Sequence, residues 1–140
     1  MFRLVNSCEI DIRAWDACVL SSKYFRHYYL SYFLNNACDQ WDALVAEDYK
    51  WVWPLPIKNV FIKKIYQPLL AQQLGPVAKG DISEDELFDA LRLLKKKYPV
   101  GSIKFNSSIK RVPLIDTTKG TNVELDLKLP YEKIKKNYSR

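Results

Sequence analysis

The hydrophobic pattern changes period several times along the chain, and each change marks an element. Phe2 to Val5 predicts a short first strand, and Ile12, Trp15 and Val19 then recur at helical spacing behind Asp11, predicting a helix near 11–20. Between Tyr24 and Leu34 the aromatics Tyr24, Phe25, Tyr28, Tyr29, Tyr32 and Phe33 crowd together, which reads as a second helix hiding some of its rings against a neighbour. Trp41–Val45 and Tyr49–Leu55 read as strands joined by the acidic turn Ala46-Glu47-Asp48. Val60–Tyr66 reads as a third, so the three form an antiparallel meander. Pro54, Pro56 and Pro68 lack a backbone donor and belong at strand ends, bulges or an edge.

The second half is more regular. Ser83 and Glu86 form a capping box ahead of Leu87, Ala90, Leu91 and Leu94, and Lys95 to Lys97 complement the negative end of a helix over 83–97. Tyr98-Pro99-Val100-Gly101 ends it. Ile103 with Phe105, and Val123 with Leu125 and Leu127, alternate as half-buried strands do, and Pro130 opens a last helix with Tyr131, Ile134 and Tyr138. No internal repeat or low-complexity tract interrupts this order. The pattern is that of an α+β chain.

Length adds that 140 residues, 48% of them hydrophobic, suffice for one core, so a single domain over 1–140 is expected. No apolar run approaches a bilayer-spanning length, and Met1 to Asn6 runs into Glu9 and Asp11 rather than a signal-type apolar stretch. A cytoplasmic protein with no membrane partner is the reading. Cys8, Cys18 and Cys38 are odd in number, lack a paired spacing for zinc and read as small buried hydrophobes in a reducing compartment. A nucleophilic cysteine would need the sole histidine, His27, as its base. The net charge of +6 reads mainly as solvated surface and leaves nucleic-acid binding a minor alternative.

Taken in order, Trp41-Asp42-Ala43-Leu44-Val45, Asp48-Tyr49, Pro54-Leu55-Pro56, Tyr66-Gln67-Pro68 and Gln72-Gln73-Leu74-Gly75 resemble an uncharacterised bacterial family of GNAT-like proteins. Those relatives look like the Fem-type aminoacyl transferases of cell-wall synthesis, which pair two GNAT-like domains and pass an acyl group to an amine. Glu124-Leu125-Asp126-Leu127, Tyr131-Glu132-Lys133-Ile134 and Asn137-Tyr138-Ser139 resemble the segment that enters the second domain. The resemblance therefore implies a GNAT-like mixed, largely antiparallel sheet flanked by helices. It also implies the first half of a two-domain transferase without the catalytic half, since the chain stops at Arg140 where such relatives continue.

GNAT enzymes commonly follow a strand with a Gln/Arg-x-x-Gly-x-Gly/Ala loop and a helix whose first amides hold the pyrophosphate of acyl-coenzyme A. Gln72-Gln73-Leu74-Gly75-Pro76-Val77 meets the first half of that pattern, making Gln72, Gln73 and Gly75 the cofactor-loop candidates, with Lys58 and Lys79 as added charge. Pro76 removes a donor, Val77 replaces the small last residue, and a plain Gly75-Pro76 turn is the competing account. Trp41, Tyr49, Trp51, Trp53 and Tyr66, with Tyr49, Trp51 and Trp53 expected on one face and Gln67 beside them, suit either a peptide- or amine-binding surface or a sheet core. Asp42, Asp48 and Asp116 are the carboxylates placed for acid or base work, each with a turn or strand-end role as the simpler reading. Asn106-Ser107-Ser108 spells a glycosylation acceptor that needs a secretory route to be used. An exposed seam would favour a homodimer or a second GNAT-like chain as partner.

Overall fold

The computed structural model describes residues 1–59, 61–99, 101–107, 109, 112, 117, 118, 120 and 129–138. Strands β1 (Phe2–Asn6), β2 (Trp41–Ala46), β3 (Trp51–Asn59) and β4 (Lys63–Ile65) lie in that order in one sheet, each antiparallel to the next. β5 (Val77–Ala78) joins the outer side of β3 at Trp51 and Val52. After helix α3 (Glu84–Lys97) the chain returns alongside β4, where Gly101 makes a parallel bridge to Ile65. The architecture is α+β, with a sheet that is largely antiparallel.

β3 is the centre, and its burial explains its sequence. Trp51 to Ile57 are all buried, so the segment is apolar on both faces rather than alternating. Pro54 and Pro56 sit inside it without breaking the ladder. Ile57 N–H bonds the Gln40 carbonyl at 2.9 Å, whereas the Pro56 carbonyl accepts from Tyr66 N–H at 3.0 Å on the opposite side. Even-numbered positions therefore face away from β2, and both prolines turn their missing donor toward the stretch of β3 lying between β5 and β4.

Two layers of helix cover the sheet. On one face, α1 (Ile12–Ser21) and α2 (Ser31–Ala37) pack Trp15, Cys18, Val19 and Leu34 against Trp41, Ala43, Val45 and Val52. On the other, Leu87, Ala90, Leu91 and Leu94 of α3 meet Leu44, Trp51, Trp53, Leu55 and Ile57. Each of these leucines contributes roughly 1.5–3 kcal/mol by leaving water. Helix α4 (Tyr131–Tyr138) begins at Pro130, whose carbonyl accepts from Lys133 N–H at 2.9 Å and Ile134 N–H at 3.2 Å.

Three expectations are corrected. The aromatic segment is not one helix from Tyr24. It makes a single 3-10 turn at His27–Tyr29 and becomes α-helical only at Ser31, because Arg26 and Leu30 are extended. The break is imposed by α1: the Trp15 indole donates to the Tyr29 carbonyl at 2.9 Å, and the Asp16 carboxylate accepts from Ser31 N–H at 2.9 Å and Ser31 Oγ at 2.8 Å. α2 is thus capped by a neighbouring helix. Ile103 and Phe105 do not form a regular strand. Beyond Ser102 N–H to the Ile65 carbonyl at 3.1 Å, that segment bonds the Leu74 amide and the Gln67 side chain instead of a strand neighbour. The third strand is short, spanning Lys63–Ile65, and Val60 lies outside the described residues, as do the segment through Val123, Leu125 and Leu127 and the acid candidate Asp116.

Candidate functional site

Asp42 is one acid candidate that the fold does build into a constellation. It opposes Asn6 across β1 and β2 and shares its face with Leu44, on the α3 side. Asn6 Nδ2 donates to one carboxylate oxygen at 3.1 Å, and the hydroxyl of Tyr98, just past the end of α3, donates to the other. Asp42 is only 8% exposed. Burial, then the Asp42 carboxylate as hydrogen-bond acceptor and negative neighbour, push the Tyr98 hydroxyl well above the usual tyrosine range, so it stays protonated as a donor. This carboxylate bonds two internal donors and joins β1, β2 and α3. A base would need an oxygen open to the proton it removes.

The Gln72–Val77 segment is likewise turned inward. Leu74, Gly75, Pro76 and Val77 are buried, Gln72 is exposed and Gln73 half-buried. Leu74 N–H bonds the Lys104 carbonyl at 2.8 Å. Asn106 Nδ2 donates to the Tyr29 hydroxyl at 3.2 Å and to the Pro76 carbonyl at 2.8 Å. A Cβ on Gly75 would lie 3.2 Å from the Asn106 nitrogen and 3.3 Å from Phe105 Cα. The close approach that Gly75 permits is therefore that of the 105–106 backbone, which corrects the expectation of an open phosphate loop. The start of α3 adds to this: Ser83 and Glu86 fill its N-cap, and Glu84, Asp85 and Glu86 crowd its first turn with negative charge. Lys79 is exposed and Lys58 lies on β3, neither forming part of an anion pocket with Gly75.

The aromatic candidates divide between the two faces. Trp51 and Trp53 are 1% and 0% exposed, within ring contact of Phe2 and Phe105 respectively, and are core rather than a binding surface. Tyr49 does not share their face. Asp48 and Tyr49 are both left-handed, with φ of 53° and 52°, and this turns the Tyr49 ring toward α1, where its hydroxyl accepts from Asp11 N–H at 2.8 Å. Tyr66 is half-buried beside Cys38. Gln67 spans two strands of coil, donating to the Ala71 carbonyl at 2.7 Å and accepting from Lys104 N–H at 3.2 Å. Trp53 Nε1 is buried and has no hydrogen-bond partner among the described residues.

Cys18 and Cys38 are buried and Cys8 is exposed. Burial pushes the Cys38 thiol up to about 11, away from the reactive thiolate, and also raises Cys18. His27 is exposed and stacks edge-on with Phe25. Among the described residues no three His, Cys, Asp or Glu side chains are placed to hold a metal ion, and no helix is long and apolar enough to cross a membrane.

The sequence reading missed an open groove. It has a volume of about 360 Å³ and lies where the start of β1 meets the end of β2, lined by Phe2, Arg3, Val45 and Ala46 and by the Glu47–Tyr49 turn. The turn's two consecutive left-handed residues sit at its end, and non-glycine residues held there store strain that concentrates at functional sites. The signal in the sequence was slight: an acidic Glu47-Asp48 pair read only as a hairpin turn. No family model matches the chain, and no curated protein or solved structure is detectably similar to it.

Proposed function

We propose that this chain is a GNAT-like domain that does not catalyse alone and serves as the substrate- or partner-binding half of an N-acyltransferase-like assembly in the cytoplasm. The observation that carries the reading is internal saturation. The carboxylate at Asp42 and the amide at Leu74 are bonded inside the protein, and Gly75 is buried against the 105–106 backbone, so the groups best placed for acid–base work and pyrophosphate binding are closed in. A mixed sheet with helices on both faces supports the GNAT-like part.

The binding role falls to the outer side of β1. Among the described residues that strand pairs with β2 alone, and the open groove lies at its start, so an extended segment can add along the strand by main-chain bonds while Glu47 and Asp48 at the groove favour a positively charged amine. A peptide, a second copy or a second GNAT-like chain could supply that segment. Titration calorimetry with acetyl-coenzyme A tests the non-catalytic reading, with no saturable heat expected. Saturable binding that is lost in a folded Gly75→Ala variant would replace it with a stand-alone acyl-coenzyme A-dependent N-acyltransferase. Sedimentation across a concentration series, with and without an amine-bearing peptide, tests the edge. Wild-type association that is weakened by Phe2→Pro, which deletes a β1 donor, is expected.

A further inference from the structure

The hairpin between β3 and β4 ends in two large apolar side chains held in water. Phe61 is 99% exposed and Ile62 59%. Solitary exposed apolar residues are ordinary, but here the pair stands at a tip whose stem is basic on both faces. Ile57 and Ile65 pair across the strands and point into the α3-side core, so by alternation the next pair, Lys58 and Lys64, projects from the opposite face. Asn59 and Lys63 follow on the α3 side. Three lysines thus form a collar directly behind the apolar tip.

That collar is unfavourable in the isolated chain. Lys58 and Lys64 stand directly opposite each other, where like charges repel, and among the described residues no acidic side chain pairs with Lys58, Lys63 or Lys64. Positive charge behind a protruding aromatic–aliphatic pair matches the layering of an anionic lipid surface. Acyl chains take the tip, and phosphate or carboxylate headgroups meet the ammonium groups as the lysine stems lie along the boundary. A nucleic-acid strand would instead ask for several stacking rings along a basic groove, and only Phe61 is available at this tip.

We infer that the β3–β4 hairpin is a peripheral membrane anchor that inserts Phe61 and Ile62 into an anionic lipid surface and seats Lys58, Lys63 and Lys64 on its headgroups. This departs from the expectation of no membrane partner, and it stands independently of the acyltransferase-like reading. The four native tryptophans are at most 3% exposed, so in a Phe61→Trp variant the new indole alone is open to an aqueous quencher.

The test is flotation with vesicles of phosphatidylcholine, with and without phosphatidylserine. Binding to the phosphatidylserine vesicles is expected, weakened by salt, together with a blue shift and loss of quenching in Phe61→Trp. Lys64→Gln should weaken it roughly fivefold. Phe61→Asp combined with Ile62→Asp should reduce it to the level of pure phosphatidylcholine while leaving circular dichroism and melting unchanged. Failure of the wild type to float, or equal flotation of the doubly substituted chain, overturns the inference. Binding of a single-stranded oligonucleotide, abolished by the tip substitutions and without vesicle binding, overturns it in favour of nucleic acid.

Discussion

The two faces of the sheet each bury two tryptophans, yet they satisfy their polar atoms by different means. On the α1–α2 face, Trp15 donates to the Tyr29 carbonyl, Asp16 caps α2, and a neutral network of Tyr29, Asn106 and Pro76 closes the far side. On the α3 face a buried carboxylate, Asp42, is held by Tyr98 and Asn6, while Trp53 Nε1 is left without a partner among the described residues. One face depends on a helix, α2, that has no side-chain cap of its own and is ended by its neighbour. The other is built around a helix that supplies its own caps, and its few polar atoms bear more individually. What this teaches is that similar apolar burial on two faces does not imply similar sensitivity to losing a single hydrogen bond.

Substitution of the tryptophans tests this most strongly. Trp15→Ala and Trp53→Ala should each destabilise the chain by about 3–5 kcal/mol in denaturant unfolding. Phenylalanine separates the faces: Trp15→Phe strands a buried carbonyl and should cost about 1–3 kcal/mol more than Trp53→Phe, which removes an unsatisfied donor. Equal costs would break the comparison.

Next come the tyrosines. Tyr98→Phe deprives a buried carboxylate of a donor and should cost about 1–3 kcal/mol in urea unfolding. Tyr29→Phe should cost less, since Asn106 keeps its bond to the Pro76 carbonyl. The helix caps follow, at about 1 kcal/mol each for Asp16→Ala and Ser83→Ala. Hydrogen exchange sharpens the contrast, with Asp16→Ala loosening α2 from a distance and Ser83→Ala fraying α3 at its own first turn.

The smallest effect near neutrality is titration. Burial first of all raises Tyr29, Tyr98 and Cys38 in the folded state. Raised folded values give stability that is complete below the unfolded value and lost as pH climbs toward the folded one. Cys38 should therefore lose its contribution between 9.0 and about 11, and the two tyrosines theirs above 10.0. Melting temperature against pH should fall on the alkaline side, and Cys38→Ala should flatten the earlier part of that fall.

Local chemistry made part of this legible. The Ser83–Glu86 box and the acid-first, lysine-last order of α3 are satisfied within one segment, so the observed helix follows the expected bounds. Asp11 likewise caps α1, through the Arg13 and Ala14 amides. The β1 strand and the meander were readable from apolar runs and turns. The prolines of β3 pointed to an unpaired edge, though not to its place within a central strand.

The candidate site was harder to read because its members are remote in sequence. Asp42 and Tyr98 are 56 positions apart, and Tyr29 and Asn106 are 77 apart. Gly75 looked like a phosphate glycine because its neighbours matched a loop pattern, while the backbone that fills the space beside it comes from Phe105 and Asn106. The sequence by itself determined α1, α3 and the antiparallel meander, all from interactions within a few residues. Tertiary structure alone decided where α2 begins, which aromatics share a face, and that the Asp42 carboxylate and Gly75 are closed inside. These depend on partners from distant segments whose approach no local period encodes.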